Sequence, residues 1–485
     1  GKRTIRMAAS EMARRGRWTR AGRWLVQISF LLLFLFPLGV VIYQRVTYTA
    51  APGITSWVLP FDPLMGLGLL LRRSFALLLV GGPLLMFSLT FIFGRFFCGW
   101  VCPLGTMLDL VRPLAFWQKR KPHKASQGLF PANRNSSARY YLLAALLGAG
   151  VFSLRYLGLF DPLVIFSRGS TSLANLITAP GAALVAAGGS VVLAFLAILA
   201  LEWWQPRFWC RNLCPFGALL GLASRFSRWK RSVTPGACSG CQLCQRACPM
   251  NALSAGADST DYSQCTFCLE CSSACAQDGI RFGFSSAPSA APERGITRRE
   301  FLGLAAAAAA GAVAVPLIEK APAKAVLRPP GALPEEQFLR TCILCQECIR
   351  VCPTGGLQPS ILETGWAGFG TPVLVPRQGG CALNPSCPDL CAQVCPVGAI
   401  LPVTKETMQI GVAHVYREVC LAWDQGAKCL VCVEACLNSA AIAFHGRVTV
   451  DSNRCTGCGR CESGCPVPGS AIRVSPLGGD QSGRL

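Results

Sequence analysis

Residues 238–249 read CSGCQLCQRACP, four cysteines in a C-x2-C-x2-C-x3-C run with a proline directly after the last one. A second run of the same spacing, CTFCLECSSAC, follows at 265–275. Three closely spaced thiolates can bind one face of an iron–sulfur cubane, while the fourth cysteine of each run reaches the neighbouring cubane. These two runs therefore predict a small module over residues 236–285 that binds two [4Fe–4S] clusters.

The spacing is that of bacterial two-cluster ferredoxins, and it predicts the ligands of each cluster. One set is Cys238, Cys241, Cys244 and Cys275, and the other is Cys265, Cys268, Cys271 and Cys248. Zinc is the alternative, but it favours two separated C-x2-C pairs over four cysteines in one tight run. Disulfides are not expected if the segment is cytoplasmic, because thiols there stay reduced.

Four further cysteine groups lie in the C-terminal third of the chain, two with the tight spacing and two with a stretched one. Pieces between them, such as AIAFHGRVTVDSNRC at 441–455, are typical of strand, turn and strand. Residues 326–485 are therefore expected to form two fused α+β ferredoxin-like modules with four clusters. Spacing alone leaves open which group pairs with which. The expected ligands are Cys342, Cys345, Cys348 and Cys352; Cys381, Cys387, Cys391 and Cys395; Cys420, Cys429, Cys432 and Cys436; and Cys455, Cys458, Cys461 and Cys465.

Long runs without charge lie in the first 200 residues. Residues 24–44 and 74–94 contain no charged side chain, and further apolar runs follow Arg139 and occupy 182–201. A buried core helix could explain one such run, but four favour membrane-spanning helices. The composition, 52% hydrophobic and only 14% charged, also excludes an ordinary cytosolic enzyme. Residues 1–235 are therefore expected to form an all-α bundle of four transmembrane helices.

Basic residues are concentrated in the segments on one side of these runs. Residues 1–23, 95–139 and 205–235 are rich in Lys and Arg, whereas the other two loops have few. By the positive-inside rule, the N terminus and the 236–285 module are cytoplasmic, in what would be a bacterial inner membrane. These loops account for much of the net charge of +22, so nucleic-acid binding is not expected.

The membrane part contains an internal repeat. Phe61-Asp62-Pro63-Leu64 recurs as Phe160-Asp161-Pro162-Leu163, and FCGWVCPLG at 97–105 recurs as WCRNLCPFG at 209–217. Repeated units in a membrane usually face each other with the functional site between them. A seventh site, also for a [4Fe–4S] cluster, is therefore expected, with zinc or purely structural thiols as alternatives. Its ligands would be Cys98, Cys102, Cys210 and Cys214.

The two Asp-Pro steps of this repeat have two interpretations. Aspartate is a preferred helix N-cap and proline is favoured at the first helical position, so both steps predict helix starts. The alternative is that the two carboxylates accept protons from a quinol.

A Pro/Ala/Ser linker at 284–295 precedes the sequence TRREFL at 297–302 and an uncharged run that ends at Ile318. This pattern resembles a twin-arginine export signal, which serves folded cargo such as a domain already filled with clusters. A soluble Ala-rich helix is the alternative. Residues 286–325 are therefore expected to contain a linker and a fifth, uncleaved membrane helix, despite an Ala-x-Ala sequence at 321–323. Residues 326–485 would then be periplasmic.

At family level, residues 20–285 resemble the NapH-type membrane subunit of quinol dehydrogenases that serve periplasmic nitrate reductase, a module also found in NosR. FCGWVCPLG, WCRNLCPFG and the two-cluster runs carry this resemblance. Residues 297–475 resemble the NapG or MauM type of polyferredoxin through TRREFLG, GTPVLVPRQGGC and CTGCGRCESGC. The chain looks like a fusion of the two subunits. The resemblance implies that the four C-terminal groups pair one with four and two with three.

Together these patterns predict a membrane-bound electron-transfer protein that links the quinone pool, for example menaquinone, to a periplasmic oxidoreductase through seven [4Fe–4S] clusters. A cytochrome or other membrane subunit is an expected partner. His123, His414 and His445 lie outside the apolar runs, and no C-x2-C-H or G-x-G-x-x-G motif occurs, so neither haem nor flavin is expected. The alternatives are an accessory factor that reduces a maturing metalloenzyme and a cytoplasmic ferredoxin:quinone reductase. No catalytic residue is predicted.

Overall fold

The structure is a computed structural model. It describes residues 2–47, 59–71, 77–112, 138–178, 182–234, 236–254, 259–275, 277–284, 297–318, 325–361, 364–382, 387–404 and 406–477. Most of the basic loop before Arg139, including His123, lies outside the described residues. So do nearly all of the linker at 284–295 and the Ala-x-Ala sequence at 321–323.

The N-terminal half is helical, and helices form at each of the predicted apolar runs. They are α1 (Lys2–Thr47), α2 (Pro63–Leu71), α3 (Leu77–Phe93), α4 (Phe96–Trp100), α5 (Pro103–Val111), α6 (Ala138–Phe152), α7 (Arg155–Phe160), α8 (Pro162–Thr178), α9 (Ala182–Trp204), α10 (Phe208–Asn212) and α11 (Pro215–Ser224).

Within the described residues, two helices are long and apolar enough to cross a membrane, Trp18–Val40 inside α1 and Arg298–Leu317. Shorter apolar segments lie at Gly81–Phe93 in α3, Ala138–Phe152 in α6 and Val191–Trp204 in α9, which has 23 residues in all. Helices therefore occupy all the expected runs, and the first of the four N-terminal runs contains a candidate span. The multi-pass bundle stays a prediction.

The remaining helices are short, apart from the one that follows the linker. They are α12 (Leu243–Ala247), α13 (Glu270–Ser273), α14 (Arg298–Ile318), α15 (Glu335–Thr341), α16 (Glu347–Val351), α17 (Gly365–Gly368), α18 (Leu390–Gln393), α19 (Leu421–Asp424), α20 (Val431–Glu434) and α21 (Arg460–Gly464). α14 begins with a capping box, because the Glu300 amide donates to Thr297 Oγ1 (3.2 Å) while the Thr297 amide donates to the Glu300 carboxylate (3.0 Å).

Four two-stranded antiparallel sheets accompany these short helices. β1 (Trp229–Val233) pairs with β2 (Ile280–Phe284), β3 (Leu357–Pro359) with β4 (Pro372–Leu374), β5 (Gly411–Val415) with β8 (Ile472–Pro476), and β6 (Ala441–Phe444) with β7 (Arg447–Val450). The predicted strand, turn and strand at 441–450 is confirmed. Its turn residues His445 and Gly446 both have positive φ, as tight hairpin turns require.

The two Asp-Pro steps are helix N-caps, as predicted. Asp62 Oδ1 accepts hydrogen bonds from the amides of Leu64 (2.8 Å) and Met65 (3.2 Å) at the start of α2. Asp161 makes the equivalent pair of bonds at the start of α8. The repeat seen in the sequence is therefore also a repeat in backbone geometry.

α14 packs against α6 at backbone distance. A Cβ atom at Gly148 would overlap the carbonyl oxygen of Ala308, and one at Gly311 would overlap that of Ala145. Small residues of this kind let apolar helices approach closely, which is how helices associate in lipid. Gly303 lies against Tyr141, near the start of α6. The two helices therefore run in the same direction.

The two cysteine-rich parts of the chain contact opposite ends of α6. At its start, Arg139 donates to the Ser263 carbonyl (3.2 Å) and to the Gln264 side chain (2.8 Å). Just after its end, the Leu154 amide donates to the Arg340 carbonyl (2.9 Å). α6 has 15 residues, which at 1.5 Å per residue is about 22 Å. The helical bundle thus separates the two parts by roughly this length.

Candidate iron–sulfur centres

Two cavities between residues 236 and 284 are each lined by four cysteines. The first is the 238 set, Cys238, Cys241, Cys244 and Cys275. The second is the 265 set, Cys265, Cys268, Cys271 and Cys248. These are the sets that the spacing predicted, with the last cysteine of each run crossing to the other cavity.

Two further cavities lie in the last module of the chain. The 420 set consists of Cys420, Cys429, Cys432 and Cys465. The 455 set consists of Cys455, Cys458, Cys461 and Cys436. The third and fourth C-terminal groups therefore pair with each other.

The first and second C-terminal groups come together in the same way. The 342 set is Cys342, Cys345 and Cys348 with Cys395 as their charged neighbour. The 381 set is Cys381, Cys387 and Cys391, with Cys352 beside Cys387 and Cys391. The pairing of one with four and two with three, which the family resemblance implied, is therefore wrong for this structure. Each fourth cysteine crosses only to the group next to it in the chain, so each pair of groups builds one compact two-cluster unit.

A left-handed residue shapes five of these six sets. It stands between the second and third cysteine of the run and caps the short helix that follows. These residues are Gln242, Leu269, Gln346, Asp389 and Gly459, with φ between 58° and 76°. The reversal turns the chain so that the thiols before and after it face one cavity. Of these five, Gly459 and, to a lesser degree, Asp389 are of residue types that favour this conformation.

The four cysteines of the membrane repeat are also brought together and are buried. Cys102 has Cys98 and Cys210 as charged neighbours, and Cys214 has the other three. We call these four residues the membrane quartet. Cys102 and Cys214 are the N-caps of α5 and α11, each followed by proline, and the Gly217 amide donates to Cys214 Sγ (3.2 Å).

Two arginines that the sequence interpretation missed flank the membrane quartet. Arg95 Nη2 lies 4.0 Å from Cys98 Sγ, and Arg207 Nη1 lies 3.9 Å from Cys210 Sγ. Each stands three residues before the first cysteine of its half, so the repeated Arg-Phe-aromatic-Cys sequence was the available signal. Their charges would stabilise thiolates and a negatively charged cluster.

Each arginine also crosses to the other half of the repeat. A Cβ at Gly217 would lie 2.6 Å from Arg95 Nη2, and one at Gly105 would lie 2.8 Å from Arg207 Nη1. The final glycine of each C-P-x-G sequence therefore makes room for the arginine of the opposite half.

A buried carboxylate fixes one of these arginines. Asp109 accepts from Arg207 Nη2 (2.6 Å) and Nε (3.1 Å), and also from Gln27 (3.0 Å) and Arg23. Arg23 in turn pairs with Glu270 (2.8 Å) of the 236–284 module. This network joins α1, α5 and the loop before α10 to the ferredoxin-like module.

The donor set of the cavities suits iron–sulfur clusters. The four cavities described above are lined by cysteines and contain no His, Asp or Glu, and all-thiolate sets bind Zn or Fe–S centres. Among the described residues, no three His, Cys, Asp or Glu side chains converge as the ligands of a single ion would. The thiols surround a space instead of a point, which fits a cluster of several irons better than one zinc.

None of the 28 cysteines, all of which lie among the described residues, is in a disulfide, and several are strongly buried. Burial raises the pKa of Cys248 to about 11 and that of Cys432 to about 11. Such thiols are protonated at neutral pH, so cluster binding must displace their protons.

Comparison with known families agrees with this chemistry. Residues 75–124 and 186–234, and separately 447–472, match families described as 4Fe–4S binding domains, and residues 230–276 match a 4Fe–4S dicluster domain. No solved structure is similar to the chain at a significant level. Fold and cysteine sets thus define an iron–sulfur electron-transfer protein of the ferredoxin type.

Two similar proteins narrow this class. The chain is 38% identical over 204 residues to the methylamine utilization ferredoxin-type protein MauM of Methylophilus methylotrophus, covering 39% of this chain and 88% of that protein. It is 37% identical over 213 residues to the ferredoxin-type protein NapG of Escherichia coli K12, covering 39% and 89%. The chain belongs to this family of MauM and NapG ferredoxin-type proteins.

Proposed function

We propose that this chain fuses a NapH-type membrane subunit to a NapG/MauM-type polyferredoxin, and that it passes electrons between the quinone pool and an oxidoreductase on the outer side of the membrane. The MauM and NapG relatives cover only 39% of the chain, which leaves room for a second subunit. The repeated 4Fe–4S match at 75–124 and 186–234 supports such a subunit, because it includes both C-x3-C-P motifs.

The observation that best supports the proposal is the position of the membrane quartet between the two cysteine-rich parts. On one side, Arg95 donates to the Ser263 carbonyl (2.7 Å) and Trp100 to the Phe267 carbonyl (2.9 Å), so the first C-x3-C-P motif lies directly on the 265 set. Electrons would therefore pass over a short, packed distance between the quartet and the 236–284 module, which we call the inner module.

On the other side of the quartet, packed residues reach the cysteine-rich residues 326–485, which we call the outer domain. The Trp209 ring, next to Cys210, stacks on Phe160 with centroids 6.4 Å apart. Gly158, at the same end of α7, contacts the carbonyl of Ile343, the neighbour of Cys342. With a bundle about 22 Å thick along α6, these contacts favour transfer within one chain.

The membrane topology is part of the proposal. α1 and α14 each contain a candidate span, and α14 runs parallel to α6 from the inner module towards the outer one. The Lys- and Arg-rich segments then face the cytoplasm, and residues 326–485 face the periplasm.

The chain's residues would have simple tasks in this function. A [4Fe–4S] cluster supplies one-electron transfer, and we propose one in each of the seven cysteine sets. Around the membrane quartet, buried Phe97 and Phe216 exclude water. Arg95 and Arg207 provide the positive charge that favours the reduced state.

The double substitution Cys98→Ser and Cys210→Ser tests the proposal. We expect dithionite to reduce the six ferredoxin-type clusters as in the wild type, whereas menaquinol no longer reduces any cluster of the outer domain in electron paramagnetic resonance (EPR) spectra. A matched variant, Cys275→Ser, damages the 238 set instead and should leave the menaquinol-dependent reduction of the outer domain intact. Undiminished reduction by menaquinol in the double variant would make the quartet structural and move quinol oxidation to a partner.

A further inference from the structure

The outer domain consists of two modules, a first one with the 342 and 381 sets and a second one with the 420 and 455 sets. Ligand residues of two of these sets make the contact between the modules. The Cys381 amide donates to the carbonyl of Cys458 at 2.6 Å. One residue earlier, a Cβ at Gly380 would lie only 2.7 Å from the Arg460 amide nitrogen. Two backbone segments that hold different clusters thus touch directly, which makes the 381 set and the 455 set neighbours.

The 420 set is linked to the first outer module through a long side chain instead of through backbone contact. The Arg377 guanidinium reaches the carbonyls of Glu462 (3.2 Å) and Cys465 (3.1 Å), but it does so across the length of an arginine side chain. Leu430 and Val431, next to ligands of the 420 set, are each 37% exposed. This set therefore lies on the open side of its module.

The 342 set is held against the helical bundle. Ser167 of α8 donates to the Cys345 carbonyl (3.0 Å), and Gly158 of α7 contacts the Ile343 carbonyl. The neighbouring Glu347 accepts a hydrogen bond from the same serine (2.6 Å). These contacts place the 342 set at the bundle end of the outer domain.

From these contacts we infer that the four outer sets are arranged in space in the order 342, 381, 455, 420, so that the last two exchange places relative to the chain. A single electron that enters from the bundle would reach the 420 set last, and no bond forms or breaks in such a transfer. The 420 set is then where a one-electron acceptor protein receives the electron. The spatial order rests on the proposed function only in that the sets hold clusters, and the role of the 420 set also rests on the entry of electrons from the bundle.

Magnetic coupling between reduced clusters tests this order without any quinol, because neighbouring paramagnetic clusters split each other's EPR signals. Two variants of the full-length protein are compared after complete reduction by dithionite. Cys458→Ser should remove the cluster of the 455 set and leave the 420 cluster as one uncoupled spin per chain. Cys429→Ser should remove the 420 cluster and create no uncoupled spin in the outer domain, because the 455 cluster stays coupled to the 381 cluster.

The opposite pattern, with the uncoupled spin in Cys429→Ser, would overturn the order and place the 420 set at the junction. An uncoupled spin in both variants, or in neither, would also overturn it. Iron analysis must show the loss of a single cluster from each variant. Cys455→Ser and Cys420→Ser target the same sets if the first pair fails to fold. A wild type without iron in the outer domain would refute the proposed function instead.

A third variant tests the junction while it keeps every ligand. Gly380→Ala should push the two modules apart at the Arg460 backbone and weaken the coupling between the 381 and 455 clusters at unchanged iron content. Gly283→Ala in β2, at a glycine without positive φ where the added Cβ meets no atom within 4 Å, is the matched control. Equal coupling in the two variants would contradict the junction.

Discussion

Replacement of Asp109 by alanine should destabilise the helical region strongly. Asp109 is 4% exposed and is bonded to Arg207 through both carboxylate oxygens. Arg23 would keep Glu270 as a partner, whereas the carboxylate left near Arg207 is that of Glu202, which accepts a hydrogen bond from the Arg207 backbone amide (2.7 Å). The substitution therefore leaves a buried guanidinium beside Cys210 without the carboxylate that it is paired with.

The size of the effect follows from this burial. Breaking a buried ion pair by removal of one partner costs about 3–5 kcal/mol. For a unit of the size of the helical region, each kcal/mol lowers the melting temperature by about 2–4 °C. We therefore expect Asp109→Ala to melt about 6–20 °C below the wild type in detergent. Asp109→Asn should lose less, because its amide oxygen still accepts a hydrogen bond from Arg207.

The assay is thermal unfolding followed by circular dichroism, with Glu336→Ala as the control. Glu336 forms an i,i+4 pair with Arg340 but its side chain is 76% exposed, so its loss should cost only about 0.3–0.5 kcal/mol. A melting temperature of Asp109→Ala within about 1 °C of that of Glu336→Ala would refute the argument that Asp109 holds the network together.

Three other results are expected. Gly311→Leu should lower stability by about 1–3 kcal/mol, since it separates α14 from α6. Gly22→Leu, where the added Cβ meets nothing within 4 Å, should not lower stability, and equal melting temperatures of the two variants would contradict this packing. A periplasm-active reporter after Leu485 should be active, and activity of a cytoplasmic reporter there would overturn the topology. Protein purified without oxygen should contain about 28 irons per chain, four for each cubane in the seven sets, and the Cys98→Ser variant should contain about four fewer. The same iron content in both proteins would mean that the membrane quartet holds no cluster.

The cysteine sets could be predicted where chemistry alone fixes the spacing. The C-x2-C-x2-C-x3-C run brings three thiols around one cavity, and the entry of Cys275 into the cavity of the 238 set follows from it. The pairing in the outer domain could not be predicted, because the distance between groups in the chain does not say which module a fourth cysteine enters. A resemblance to related proteins gave the wrong pairing here.

Other features had weaker signals or none. Leu269 and Gln242 adopt left-handed conformations against the preference of their residue types, so only the folded run reveals the reversal. Arg95 and Arg207 were visible as a repeated arginine, but that arginine gains meaning only once the opposite glycine is seen to make room for it. Packing of α14 on α6 depends on small residues far apart in the chain, which no local pattern links.

The contacts of the crossed arginines relate the two halves of the membrane repeat in the way that the subunits of a symmetric dimer are related. Arg95 meets Gly217 and Arg207 meets Gly105, so residue i of one half contacts residue j of the other, and j contacts i. This is the isologous interface of a two-fold homodimer, here enclosed in one polypeptide. Each half contributes one arginine, one glycine and two cysteines to the centre. Within one polypeptide the two halves can differ, as the two chains of a homodimer cannot, and Asp109, whose equivalent position is Gly221, is such a difference.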